Sequence, residues 1–225
     1  MDARGWGIVA LVAVAVALLI RYGDPTVAEL FESADGPVIG AYRALTVLGS
    51  SLVYLPPLGA AAVACLLLAR RSAPRRRALL LRHASRLAFV FAAIAASGIV
   101  VDIVKVLVGR SRPRLLEQSG IYGFKPPGLS SVYQSFPSGH TATLFAAACA
   151  AGFLFPRWRW PLLALAALLA GTRLAVGAHY LSDVLAGATI AILVTLGLRW
   201  LWSRRGWVFR RGEDGGYARR GRQRR

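Results

Sequence analysis

Long apolar runs separated by short charged blocks organise this chain. The runs cover residues 6–20, 44–69, 87–108, 138–155, 161–178 and 184–202. A bilayer span takes about 20 residues, so six such helices use roughly 120 and leave only loops and a tail. The pattern predicts an all-α, polytopic membrane protein with six transmembrane helices. The first run is short enough to suggest a signal peptide. Its C-terminal flank is Arg21-Tyr22-Gly23-Asp24 rather than a small-x-small site, so it reads as a retained helix. Pro56-Pro57 interrupts the second run and predicts a kink or a split. From Ser203 onward the Arg/Gly-rich sequence has no apolar periodicity and reads as disordered. The expected organisation is a membrane domain over 1–204 and a basic tail over 205–225.

Composition supports the membrane assignment. Of 225 residues, 56% are hydrophobic and 17% charged. Soluble domains have about 45–50% apolar and about 25% charged residues. The net charge of +18 is held in blocks rather than spread over a surface, which argues against nucleic acid as a partner and for the lipid bilayer. Cys65 and Cys149 lie inside apolar runs, and His83, His140 and His179 are not clustered, so neither a disulfide framework nor a metal or other cofactor is expected. Oligomeric state is not legible.

Arginine placement sets an orientation. Arg70, Arg71, Arg75, Arg76, Arg77, Arg82 and Arg86 lie between runs two and three, Arg157 and Arg159 between runs four and five, and nine arginines in the tail. Excess arginine marks the cytoplasmic side. Asp24, Glu29, Glu32 and Asp35 come after run one and read as an outer loop. Six spans with both termini cytoplasmic satisfy these assignments. The segment 109–137 is then basic but external, which suggests a bound anion.

Three clusters fall at the outer helix ends. The first is Lys105, with Arg110, Arg112, Pro113 and Arg114 after it; the second is Pro137-Ser138-Gly139-His140. The third is Thr172-Arg173, then His179 and Asp183. Ser138 is a good N-cap, and the first turn behind it offers free N–H groups and a positive dipole end to an anion. Gly139 permits close backbone approach, and His140 is placed to give a proton. His179 and Asp183, spaced i, i+4, share a helix face; a carboxylate on Nδ1–H would leave Nε2 as nucleophile or base, although a structural hydrogen bond accounts for the same spacing. Arg173 needs an anion, either a ligand or Asp183. Only Lys105 and Lys125 break the chain's use of arginine, which suggests a need for a compact charge at Lys105; Asp102, one turn earlier, is its expected partner. Arg112 suits a two-pronged grip on phosphate, whereas Arg110 and Arg114 read as a solvated basic loop. His83, among arginines, reads as bland. Together the clusters suit phosphoryl transfer, with cations of the protein meeting the phosphate charge.

Lys-x6-Arg-Pro, Pro-Ser-Gly-His and Thr-Arg-x5-His-x3-Asp, in this order from Lys105 to Asp183, resemble the signature of the type 2 phosphatidic acid phosphatase superfamily. One departure is Thr172, where the signature usually has serine; threonine keeps the hydroxyl for a hydrogen bond to phosphate. The resemblance implies His179 as nucleophile, Asp183 as its orienting partner and His140 as general acid. It implies Lys105, Arg112, Ser138, Gly139 and Arg173 as the phosphate cradle. It also implies a metal-independent phosphatase of a membrane lipid phosphate in the inner (plasma) membrane, its site at the periplasmic or extracellular face. Phosphatidic acid, phosphatidylglycerophosphate, undecaprenyl pyrophosphate and lipid A phosphates are all candidate substrates. A lipid phosphotransferase using the same phosphohistidine, or a non-enzymatic lipid-binding protein, are the alternatives.

Overall fold

The computed structural model describes residues 3–32, 37–211 and 217–219. Its α-helices are α1 (Ala3–Leu18), α2 (Asp24–Glu32), α3 (Pro37–Leu45), α4 (Ser51–Arg70), α5 (Pro74–Val108), α6 (Pro113–Ser119), α7 (Gly139–Leu154), α8 (Arg159–Ala175) and α9 (Leu181–Arg204). A π turn over Leu19–Gly23 joins α1 to α2, and a 3-10 turn over Thr46–Gly49 succeeds α3. Strands β1 (Phe209–Arg211) and β2 (Tyr217–Arg219) pair antiparallel, with Phe209 opposite Arg219.

Among the described residues, four helical stretches are long and apolar enough to cross a membrane: Gly5–Phe31, Ile39–Arg70, Pro74–Val108 and Leu181–Arg204. Of the remaining runs, α7 has 16 residues and α8 has 17. At 1.5 Å per residue these are about 24–26 Å long, slightly less than a bilayer core.

Three boundaries differ from the sequence reading, each for a local reason. Arg75, Arg76, Arg77, Arg82 and Arg86 ride on α5 instead of forming a loop. Pro74 suits the first helical position, and arginine and leucine are good helix formers, so the helix starts well before its apolar stretch does. The second run breaks at Ser50 instead of at Pro56-Pro57, which both lie inside α4. Ser50 is extended, its hydroxyl accepts from the N–H of Leu52, and Tyr54 Oη donates to the carbonyl of Leu48 at 2.7 Å. Asp24 is not in an outer loop either. The π turn carries the helix past Arg21-Tyr22-Gly23 and delivers Asp24 to the interior with no exposed surface.

The core is built where α5, α7 and α9 meet, with α4 against α5 and α8 against α7. Ala142, Ala146 and Ala150 recur every fourth residue along α7 and are wholly buried, facing Ala93 on α5 and Ala191 on α9. Small residues at that spacing let helix backbones approach closely, the usual means of association where lipid removes any hydrophobic drive. At the opposite end from residues 108, 139 and 181, the start of the tail is folded instead of disordered. Val208 and Phe209 are buried, and Phe209 meets Phe89 edge-to-face with centroids 5.0 Å apart. The expectation of an unstructured tail therefore fails over 203–211; residues 212–216 and 220–225 lie outside the described residues. Phe209→Ala should destabilise the protein by about 3–5 kcal/mol, as for other buried Phe truncations. The check is thermal unfolding in detergent, where an unchanged midpoint would contradict this packing.

Candidate active site

The three clusters converge because the ends of α5, α7, α8 and α9 meet at one end of the bundle. Ser138 caps α7: its Oγ accepts from the Thr141 hydroxyl at 3.0 Å, and its own N–H donates to the carbonyl of Asp183 at 3.0 Å. Gly187 permits this contact, since a Cβ there would lie 2.5 Å from the Ser138 carbonyl oxygen. At Gly139 a Cβ would lie 3.0 Å from Lys105 Nζ, so the ammonium of Lys105 rests against the start of α7. Lys105 also contacts Asp102 at 3.2 Å, as expected.

Arg112 is aimed by neutral partners. Its Nε donates to the carbonyl of Ser131 (2.9 Å), Nη1 to that of Ala178 (3.2 Å) and Nη2 to that of Gln134 (3.3 Å). Burial is the largest influence on this guanidinium and lowers its pKa. Arg173 does not pair with Asp183. Its Nη1 donates to Thr46 Oγ1 at 2.6 Å, while its buried Nε has no partner. Its carbonyl accepts from the N–H groups of Ala178 and His179, so this residue also shapes the turn that carries the histidine. Gly177, at φ 61°, lets the chain reverse there. The Thr172 hydroxyl is spent on the carbonyl of Leu169 at 2.6 Å, within its own helix, instead of facing the site.

His179 is buried, and its Nδ1 lies 2.8 Å from the carbonyl oxygen of Ser135, with Asp183 Oδ2 farther off at 3.7 Å. A carbonyl only accepts, so Nδ1 carries the proton and Nε2 keeps its lone pair. The contact to Nδ1 expected of Asp183 is made instead by the backbone carbonyl of Ser135. Asp183 itself accepts from Ser135 Oγ (2.6 Å), the N–H of Tyr180 (2.8 Å) and Arg110 Nη1 (2.5 Å). His140 lies near enough to Arg173, His179, Lys105 and Arg112 for their charges to act on it. A Cβ on Gly49 would lie 2.8 Å from the His140 ring, so the 3-10 turn closes directly over this histidine. Among the described residues, no group of three or more His, Cys, Asp or Glu could hold a metal ion.

Several residues of the site escape a reading of the sequence. Arg110 is not a solvated loop residue; it is wholly buried. Its Nη2 donates to Asp24 Oδ2 at 2.7 Å and to Tyr122 Oη at 2.8 Å, and its Nη1 to Asp183 and to Ser182 Oγ. Burial lowers its pKa, but Asp183 and Asp24 outweigh this and leave it raised. Asp24 also accepts from the N–H and hydroxyl of Ser182. Thr46, Gly49, Tyr122 and Ser135 belong to the same shell. Nothing in the sequence joins position 24 to position 110, and Arg21, three residues before Asp24, offers a local partner that the structure does not use.

The family model described as PAP2 superfamily matches residues 86–207, a segment that contains all three clusters. The chain belongs to the PAP2 superfamily. Within it, the chain is 38% identical over 128 residues to a lipid A 1-phosphatase of Rhizobium johnstonii, covering 57% of this chain and 52% of the relative. It is 37% identical over 128 residues to a lipid A 1-phosphatase of Rhizobium etli, covering 57% and 55%. The chain therefore spans about half the length of these relatives. The fold resembles the crystal structure of Aquifex aeolicus LpxE, with TM-score 0.55 and 20% identity over 78% of this chain and 93% of that one. It also resembles a transmembrane PAP2-type phosphatidylglycerolphosphate phosphatase from Bacillus subtilis, with TM-score 0.60 and 17% identity over 88% and 95%.

Two outcomes are expected from this geometry. Arg110→Ala would strand Asp24 and Asp183 as buried charges, a change that costs about 3–5 kcal/mol in comparable sites; loss of folded protein in size-exclusion chromatography is the readout. Burial, partly opposed by Asp183, lowers the pKa of His179 from 6.5 to about 4. Between those values the unfolded chain binds the proton that the folded chain refuses, so stability falls as pH drops through this window, by about 1.4 kcal/mol per unit at most. His179→Asn should flatten that part of a melting-temperature profile, and an unaltered slope would mean that another group titrates there.

Proposed function

We propose that this protein is a membrane-embedded lipid phosphatase that works through a phosphohistidine on His179. The observation that carries the reading is a pair of guanidiniums held by neutral partners. Arg112 and Arg173 from separate segments meet beside the start of α7, held only by carbonyls and a hydroxyl, with Lys105 against Gly139. Ion-pairing such guanidiniums with carboxylates would neutralise them before substrate arrives; neutral partners orient them and leave their charge for the phosphate. The relatives' names support a lipid phosphate substrate, and a lipid A-type 1-phosphate best among the candidates.

In the proposed reaction the Nε2 lone pair of His179 attacks phosphorus in line, and the bond from phosphorus to the lipid oxygen breaks. His140, as imidazolium, gives its proton to the departing oxygen. Neutral His140 then takes a proton from water, whose oxygen attacks phosphorus; the P–N bond breaks and phosphate leaves. Asp183 and the Ser135 carbonyl keep Nδ1 protonated and steady the cation that develops on the ring. Lys105, Arg112, Arg173 and the N–H groups behind Ser138 meet the charge on the phosphoryl oxygens, so the chemistry needs no metal ion.

The same reading includes six spans, counting α7 and α8, with both termini cytoplasmic and the site at the outer face of the inner membrane. Arg75, Arg76, Arg77, Arg82 and Arg86 at the start of α5, Arg157 and Arg159 in the 156–160 turn, and Arg204 and Arg205 at the end of α9 lie at the helix ends opposite the site, which supports this orientation.

Purified protein given lipid phosphates in detergent with a chelator should release phosphate, and His179→Ala should release none while remaining folded. Acid-labile phosphate on the wild-type chain in a rapid quench would report the intermediate. Substantial turnover by His179→Ala would refute the covalent route. In a background without Cys65 and Cys149, an impermeant thiol reagent on intact cells should label cysteine at Glu117 or Ser130 but not at Ala73. Labelling of Ala73→Cys instead would reverse the orientation.

A further inference from the structure

The 3-10 turn Thr46–Gly49 lies outside residues 86–207, yet its first and last residues both touch the site. The turn packs against α7 and α8. Thr46 Oγ1 accepts from Arg173 Nη1 at 2.6 Å. Gly49 is buried, and the three atoms nearest to a Cβ built on it all belong to His140: Cβ and Cδ2 at 2.8 Å and Cγ at 3.1 Å. Val47 and Leu48, between them, are exposed instead. The turn thus offers the site one hydroxyl and one bare backbone position, and keeps its apolar side chains away.

It is also braced from behind. The Ser50 N–H donates to the carbonyl of Val47 at 2.9 Å, the Ser50 hydroxyl accepts from the N–H of Leu52, and Tyr54 Oη donates to the carbonyl of Leu48 at 2.7 Å. These bonds fix the turn to the start of α4. Arg173 needs a firm holder, because Arg112 and Arg114 lie near enough for their charges to act on it. Like charges push it away from the site, and a hydroxyl holds it there without neutralising it. Gly49 does not have a positive φ, so its backbone conformation would admit any residue. What glycine answers at this position is the close approach of the His140 ring.

We propose that this turn is a positioning element for two separate steps: Thr46 holds Arg173 toward the phosphate, and Gly49 sets His140 where it can protonate the departing oxygen. The inference rests on the lipid phosphatase reading. Neither residue touches substrate; each acts through the side chain it holds. The two roles are separable, because one concerns anion binding and the other proton transfer. A leaving group of low pKa departs without a proton, so a misplaced His140 penalises only substrates with a basic leaving group. A misplaced Arg173 penalises every phosphate alike.

The test uses the purified full chain in detergent with a lipid phosphomonoester, p-nitrophenyl phosphate, and inorganic phosphate as competitive inhibitor. Thr46→Val keeps the side-chain shape and deletes the hydroxyl. It should lower kcat/KM for both substrates and raise the Ki of inorganic phosphate, each by about tenfold or more, the scale of one hydrogen bond to a charged group. Thr46→Ser should restore both quantities. Gly49→Ala should lower kcat/KM by about tenfold or more for the lipid and by less than about threefold for p-nitrophenyl phosphate, as for a lost general acid. Its Ki for inorganic phosphate should stay near that of the wild type. Because kcat/KM extends only to departure of the leaving group, hydrolysis of the phosphohistidine does not enter the comparison. An unchanged Ki in Thr46→Val, no rescue by Thr46→Ser, or equal losses on the two substrates in Gly49→Ala would each overturn the positioning role. Failure of the wild type to release phosphate from either substrate would instead remove the phosphatase reading on which that role depends.

Discussion

Everything at this end of the bundle depends on a buried charge chain, Asp24–Arg110–Asp183, in which all three side chains are without exposed surface. Two carboxylates and one guanidinium are costly to take out of water, and the cost is offset only when the remaining donors and acceptors are also satisfied. Ser182, Ser135, Tyr122 and the N–H of Tyr180 supply most of those partners. The chain of contacts ties three distant stretches together: the end of the first helical segment, the loop after α5 and the first turn of α9. Tyr122 extends it by donating to the carbonyl of Ile20, inside the π turn. A network of this kind adds little net stability compared with apolar packing. Its contacts fix the relative positions of these three stretches at their ends.

That registration reaches His179 through Asp183. One oxygen of Asp183 binds Arg110, and the other gathers Ser135 and the N–H of Tyr180. Ser135 is held from two sides, because its N–H also donates to the carbonyl of Arg110 at 3.1 Å. The Ser135 carbonyl that accepts from His179 is therefore positioned by the same two residues that neutralise each other. Loss of any member would remove a support of the imidazole of His179.

Legibility in the sequence depends on the range of the interactions involved. The central segments of α7 and α9 are readable because their apolar content and the cap at Ser138 are local. The three clusters are readable because phosphate chemistry restricts residue types at short spacings. Helix ends are less so: hydropathy marks where lipid begins, and arginine-rich turns such as 74–86 are good helix outside it. Partners are least legible. Arg110 reads as a solvated loop residue and Asp24 as an outer acid, since nothing within a few residues of either one reveals the other. Proximity in sequence matches Arg173 with Asp183, whereas its actual partner Thr46 lies 127 residues away.

The arginines of the site differ in one respect that organises the rest. Arg110 has carboxylate partners and faces inward, whereas Arg112 and Arg173 have carbonyl and hydroxyl partners and border the histidines. In a site of low dielectric, a carboxylate beside the second pair would compete with a dianionic phosphate for the same N–H groups. Asp24 and Asp183 hydrogen-bond Arg110, and neither is a hydrogen-bond partner of Arg112 or Arg173.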